Sequence, residues 1–108
     1  MIRVSVQNQN QLITKVDITG HSDSAPKGQD LVCASVSSMA TGVLNALDQL
    51  CPNSCLLTLL DQDNARITIQ VIDLDNPVVQ TILQTFLIQL KTLESSQSSF
   101  IQIQEVVK

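Results

Sequence analysis

The spacing of apolar residues changes abruptly at Asp30. Before it, Ile2, Val4 and Val6 alternate with polar residues, as do Leu12, Thr14, Val16 and Ile18, which is the period-two pattern of half-buried strands. The polar segment QNQNQ between them reads as a hairpin connection. After Asp30, Val32, Val36, Met39, Val43, Leu47 and Leu50 recur at steps of three and four, a spacing that gathers on one side of an amphipathic helix. Asp30 is placed to cap that helix, and Pro52 and Asn53 end it.

Two further strands follow, Cys55 to Leu60 and Arg66 to Ile72, around the turn residues Asp61, Gln62, Asp63 and Asn64. Asp75 or Asn76 then caps a second helix, with Pro77 in its first turn and Val79, Ile82, Phe86, Leu90 and Leu93 as its buried stripe. SSQSS is a short linker to a last strand that carries Phe100, Ile101 and Ile103. The order ββαββαβ, with hairpins in place of strict alternation, predicts an α+β domain: a mainly antiparallel sheet packed with two helices. At 108 residues the chain is one domain, 1–108, with no room for a separate substrate domain.

Composition narrows the function. The chain is 44% hydrophobic but only 2% aromatic, so Leu, Ile and Val must build the core around Phe86 and Phe100. A net charge of -4 has the wrong sign for a phosphate backbone, and there are almost no rings on which bases could stack. Direct nucleic-acid binding is therefore not expected; long-range steering favours a basic partner. The start MIRVSV shows no secretory signal, and no apolar run approaches the ~20 residues that span a bilayer. The expectation is a cytoplasmic protein away from the membrane, with three reduced cysteines in place of a disulfide framework.

Two residues carry candidate chemistry. With Asp30 as cap, Cys33 would stand in the first helical turn, where unpaired amides and the helix dipole favour a thiolate and could hold an oxyanion. His21, the only histidine, sits where the second strand ends, and the loop after it returns to Cys33. Such a pair can act as nucleophile and acid/base partner. On residue type alone, such a cysteine is more often a small core hydrophobe, such a histidine a loop residue bonded to backbone, and Asp30 in the first instance a structural cap. Ser37 lies one turn beyond Cys33 on the same helix face, where small residues also serve close packing. Cys51 is eighteen residues further along the helix, about 27 Å away, so it cannot share a zinc ion with Cys33. Cys51 and Cys55 read as buried or half-buried thiols, and no metal or cofactor is expected.

The stretch GHSDSAPKGQDLVCASVS, from Gly20 to Ser37, resembles the signature of the ribosomal-processing cysteine protease family known as Prp. That family carries Gly-His-Ala, a variable loop with a Gly, then Asp-Ile-Val-Cys-Ala-Ala-Val-Ser. Ser22, Leu31 and Ser35 depart from that pattern, all by small or conservative changes. The resemblance implies that His21 and Cys33 are the catalytic dyad, and it puts supporting or substrate-binding motif positions at Gly20, Gly28, Asp30 and Ser37. It also implies an endopeptidase that removes the N-terminal extension of the large-subunit ribosomal protein numbered twenty-seven, cutting after an aromatic residue in an apolar stretch. A homodimer and a mobile loop over the active site are implied in the same way. The rival expectation is a non-enzymatic homodimeric interaction module for a ribosome-assembly partner, with Cys33 serving only for packing or redox sensing.

Overall fold

Ile2, Val4 and Val6 all point to one side of the first strand, β1 (Ile2–Gln9), and all are buried. The computed structural model describes residues 1–20, 27–60 and 65–108, and side chains at all of these except 27–30. Its elements run β1, β2 (Leu12–Thr19), α1 (Lys27–Leu50), β3 (Cys55–Leu60), β4 (Arg66–Val71), α2 (Pro77–Gln97) and β5 (Ile101–Val107). This is the expected ββαββαβ order. The five strands form one sheet in the order β3-β4-β2-β1-β5. Only the β1–β5 pair is parallel, so the sheet is mainly antiparallel, as expected.

Side chains directly opposite one another across neighbouring strands share a face. The register sets Val4 opposite both Ile18 and Ile103, Val6 opposite Val16, and Val16 opposite Ile69. One face of the sheet is thus continuously aliphatic. The other carries Arg3, Ser5, Asp17 and Thr68. Both helices bury their stripes on the aliphatic face: Val32, Val36, Ala40, Val43 and Leu47 from α1, and Val79, Leu83, Phe86, Leu87 and Leu90 from α2. The result is a two-layer α+β domain.

Asn76 caps α2, its side-chain oxygen accepting from the amides of Val78 at 3.0 Å and Val79 at 3.3 Å, with Pro77 as the first helical residue. The β1–β2 connection is tighter than the five-residue QNQNQ expectation. It is a two-residue turn in which Asn10 and Gln11 both adopt positive φ, 53° and 66°, as in the primed turns that suit twisted hairpins.

Several expectations are corrected. In β2 the inward positions are Ile13, Val16 and Ile18, not Leu12 and Thr14. The register shifts between Gln7 and Asn8, whose partners are Lys15 and Ile13, so Thr14 is an extra residue whose bulge reverses the alternation. Helix α1 begins at Lys27, so Asp30 lies inside it and is not its cap. Leu50 is 67% exposed, and Cys51 takes the buried place at that end. Ser95 and Ser96 continue α2, their hydroxyls donating back to the carbonyls of Thr92 and Leu93. Finally, Leu31–Leu50 is long and apolar enough by composition to cross a bilayer, against the expectation of no such run. Its valine and leucine stripe is packed on the sheet, the place of a core helix.

Candidate functional site

Cys33 is the seventh residue of α1, one turn deeper than the sequence pattern placed it. The first-turn amides that would favour a thiolate belong to residues before it, so the helix start does not hold this sulfur in the way expected. What positions Cys33 is packing. Its neighbours Val32 and Val36 are buried against the sheet, and Cys33, half-buried, packs on the edge of the same core.

From there Cys33 lines an open cavity of about 200 Å³ between α1 and the ends of four strands, β1 to β4. Ser37, one turn on, lines it as well, and so does Gly20 from the end of β2. Three of the residues singled out in the sequence therefore meet. Gly20 takes φ +88°, and it donates its backbone amide to the carbonyl of Ala65 at 3.3 Å, which ties the end of β2 to the start of β4. His21, the next residue, lies outside the described residues. Gly28 lies in the first turn of α1 and Asp30 in the same helix, and the Asp30 side chain is likewise outside the described part.

The remaining walls were not anticipated. Leu59 and Leu60 from the end of β3, Ile67 from β4 and Ile18 from β2 make the cavity largely aliphatic. The sequence held one signal for them, a leucine-rich strand without a charged residue. What it did not hold was the strand order that brings that strand beside Cys33.

Arg66 also reaches this rim. Its guanidinium makes a two-pronged contact with Asp17, Nε donating to Oδ1 at 3.0 Å and Nη2 to Oδ2 at 2.7 Å, while Thr68 Oγ1 donates to Oδ1 at 2.9 Å. Partial burial pushes the Asp17 carboxyl up. The hydrogen bonds from Arg66 and Thr68, with the charges of Arg66 and Lys15, outweigh that and hold it below its ordinary value. This pair joins β2 to β4 across the polar face and fixes the strand ends that frame the cavity.

The other two thiols sit at the far end of α1. Cys51 is buried and Cys55 half-buried. Burial pushes the Cys55 thiol up, against a hydrogen bond from Ser54. Burial there favours the protonated form of Cys55.

The chain matches the family model described as Cysteine protease Prp over residues 1–102. It is 32% identical to the ribosomal processing cysteine protease Prp of Staphylococcus aureus over 104 residues, covering 95% of this chain and 97% of that one. Among solved structures, the essential ribosomal processing protease Prp from S. aureus with a covalently linked product peptide superposes with a TM-score of 0.87 at 31% identity, over 97% of this chain and 99% of that one. The same S. aureus protease in complex with a substrate peptide gives a TM-score of 0.82 at 30% identity, over 97% and 99%.

Proposed function

Because the chain belongs to the Prp family of cysteine proteases, we propose that it removes the N-terminal extension of the large-subunit ribosomal protein numbered twenty-seven, with Cys33 as nucleophile and His21 as its acid/base partner. One observation carries the proposal: Cys33 is the cysteine that lines the open cavity with Gly20, the residue just before His21. Cys51 is buried at the other end of the helix, and burial raises the Cys55 thiol.

The chemistry is acyl transfer to sulfur and then to water. Cys33 gives up its proton to His21, and its sulfur bonds to the scissile carbonyl carbon. The carbon–nitrogen bond then breaks as His21 returns the proton to the departing amine, leaving a thioester on Cys33. Water, deprotonated by His21, attacks that thioester, and the thiol leaves with the proton regained. Gly20, Gly28, Asp30 and Ser37 are the supporting positions. The aliphatic walls suit an apolar recognition stretch, with an aromatic residue before the cut. The enzyme would work in the cytoplasm as a homodimer, without a cofactor, taking the ribosomal protein's unfolded basic tail rather than nucleic acid.

The test is incubation with the extended ribosomal protein followed by mass analysis of the product. Wild-type protein should yield a single new N-terminus after an aromatic residue. Cys33→Ala, folded by circular dichroism, should yield none, and His21→Ala should be slower by on the order of 10²–10⁴-fold. Normal trimming by Cys33→Ala would remove the dyad.

A further inference from the structure

We propose that the substrate peptide binds as an added strand along the outer edge of β3 (Cys55–Leu60), in register with the cavity that holds Cys33. The inference rests on the peptidase reading above and says how the substrate chain is held.

The sheet order makes β3 and β5 the two edge strands, and they differ sharply. Edges are ordinarily guarded by charge, proline or a bulge, because a bare edge invites another strand. β5 is guarded: it carries Glu105, which pairs with Lys91 at 2.8 Å, and the backbone amide of its Ile103 is taken by Glu94. β3 has no charged residue, no proline and no bulge. Its pairing with β4 runs unbroken from Cys55 opposite Val71 to Leu60 opposite Arg66. Among the described residues no strand pairs with its other side.

Its side chains add to the contrast. Leu56, Leu57, Leu59 and Leu60 are 60%, 40%, 61% and 50% exposed. Leu57 and Leu59 stand opposite Ile69 and Ile67, on the helix-covered face, whereas Leu56 and Leu60 stand opposite Gln70 and Arg66 on the polar face. An apolar strand laid alongside would find leucines for its alternate side chains above and below the sheet. This is how strand addition combines backbone affinity with side-chain selection.

The direction of β3 supplies the link to chemistry. Leu47, late in α1, and Cys51, just past its end, share a small cavity with Cys55 and Leu57 at the start of β3. Cys33 and Ser37, early in α1, share the larger cavity with Leu59 and Leu60 at its end. Helix and strand therefore lie side by side, antiparallel. About six residues of extended chain cover the ~20 Å of β3, and such a chain is led along the edge to the Cys33 sulfur. The occupant this favours is an extended peptide with apolar side chains, the state of an unfolded terminal tail. The S. aureus relative was solved with a substrate peptide, so a peptide is a ligand of this fold.

The experiment uses a synthetic peptide spanning the cleavage junction of the ribosomal protein, made unmodified and with N-methyl groups on alternate amides more than two residues from the cut. Two methylated versions cover the two alternating sets. Strand addition predicts that one set lowers wild-type kcat/KM at least tenfold, mainly through KM, while the other changes it less than threefold. Leu56→Lys, checked for folding by its thermal melt, should raise KM about tenfold. Equal losses from both methylated sets, or none, would overturn the inference while leaving the peptidase in place. So would a Leu56→Lys protein that falls from dimer to monomer by sedimentation yet cuts the peptide normally, since the edge would then belong to a second copy of the chain. If neither the unmodified peptide nor the full ribosomal protein is cut, the peptidase reading falls and this inference with it.

Discussion

Gly20 passes so close to the backbone carbonyl of Met1 that a β-carbon at position 20 has no room. Its φ of +88° is a conformation in which a side chain costs about 1–2 kcal/mol even in open space. Both constraints fall on the residue that lines the cavity and precedes His21. Gly20→Ala should therefore lower stability by at least about 2 kcal/mol in chemical denaturation. It should also depress cleavage more than another core variant of equal stability loss. A Gly20→Ala protein with wild-type stability would show that β2 does not end as described.

Beyond the bulge at Thr14, Ile13 pairs with Asn8 of β1 but has no partner in β4, whose pairing with β2 ends at Lys15, and Gln80 from α2 takes that side. Its side-chain oxygen accepts from the Ile13 amide and its Nε2 donates to the Ile13 carbonyl, both at 2.9 Å. Gln80→Ala strips both bonds from a partly buried backbone and should cost about 1–3 kcal/mol. Gln80→Glu keeps the acceptor and loses the donor, so it should fall between. Denaturant midpoints at neutral pH would order the three proteins.

Much of this was legible along the chain, and what was not has a common cause. The strands β1 and β3 could be read because Ile2, Val4 and Val6 alternate cleanly, and because the run from Cys55 to Leu60 is bounded by turn residues. The Asn76 cap and Pro77 start of α2 are local chemistry and were visible as such. The bulge in β2 was hidden, since it depends on which residue of β1 faces Thr14. The start of α1 was hidden because Asp30 is a good cap by type, yet the helix continues back to Lys27. Leu50 falls off the buried stripe because a helix of 3.6 residues per turn drifts from a regular three-and-four spacing, and Cys51 takes the inward position. The aliphatic wall of Leu59, Leu60 and Ile67 depends on strand order, which no local pattern encodes. Of the site itself, the motif from Gly20 to Ser37 announced Cys33 and Ser37, but not the leucines across from them.

The pair Asp17–Arg66 gives a pH dependence of known sign. The folded Asp17 carboxyl lies below its ordinary value of 3.8. Its contribution to stability is thus fully present above that pH and is lost as pH falls through the folded value. Wild-type protein should lose stability on acidification more steeply than Asp17→Asn, the two curves converging at the acid end. Arg66 is 47% exposed and Asp17 21%, so added salt should narrow the gap at neutral pH. Parallel curves for the two proteins from neutral pH to below pH 3.8 would contradict this.

The most direct measurement is rapid-quench mass spectrometry of the enzyme during turnover of the extended ribosomal protein. The account predicts a transient gain equal to the mass of the acyl fragment, mapped by digestion to the peptide holding Cys33 and absent from Cys33→Ala. An adduct on Cys51 or Cys55, or cleavage by Cys33→Ala at the wild-type rate, would contradict it.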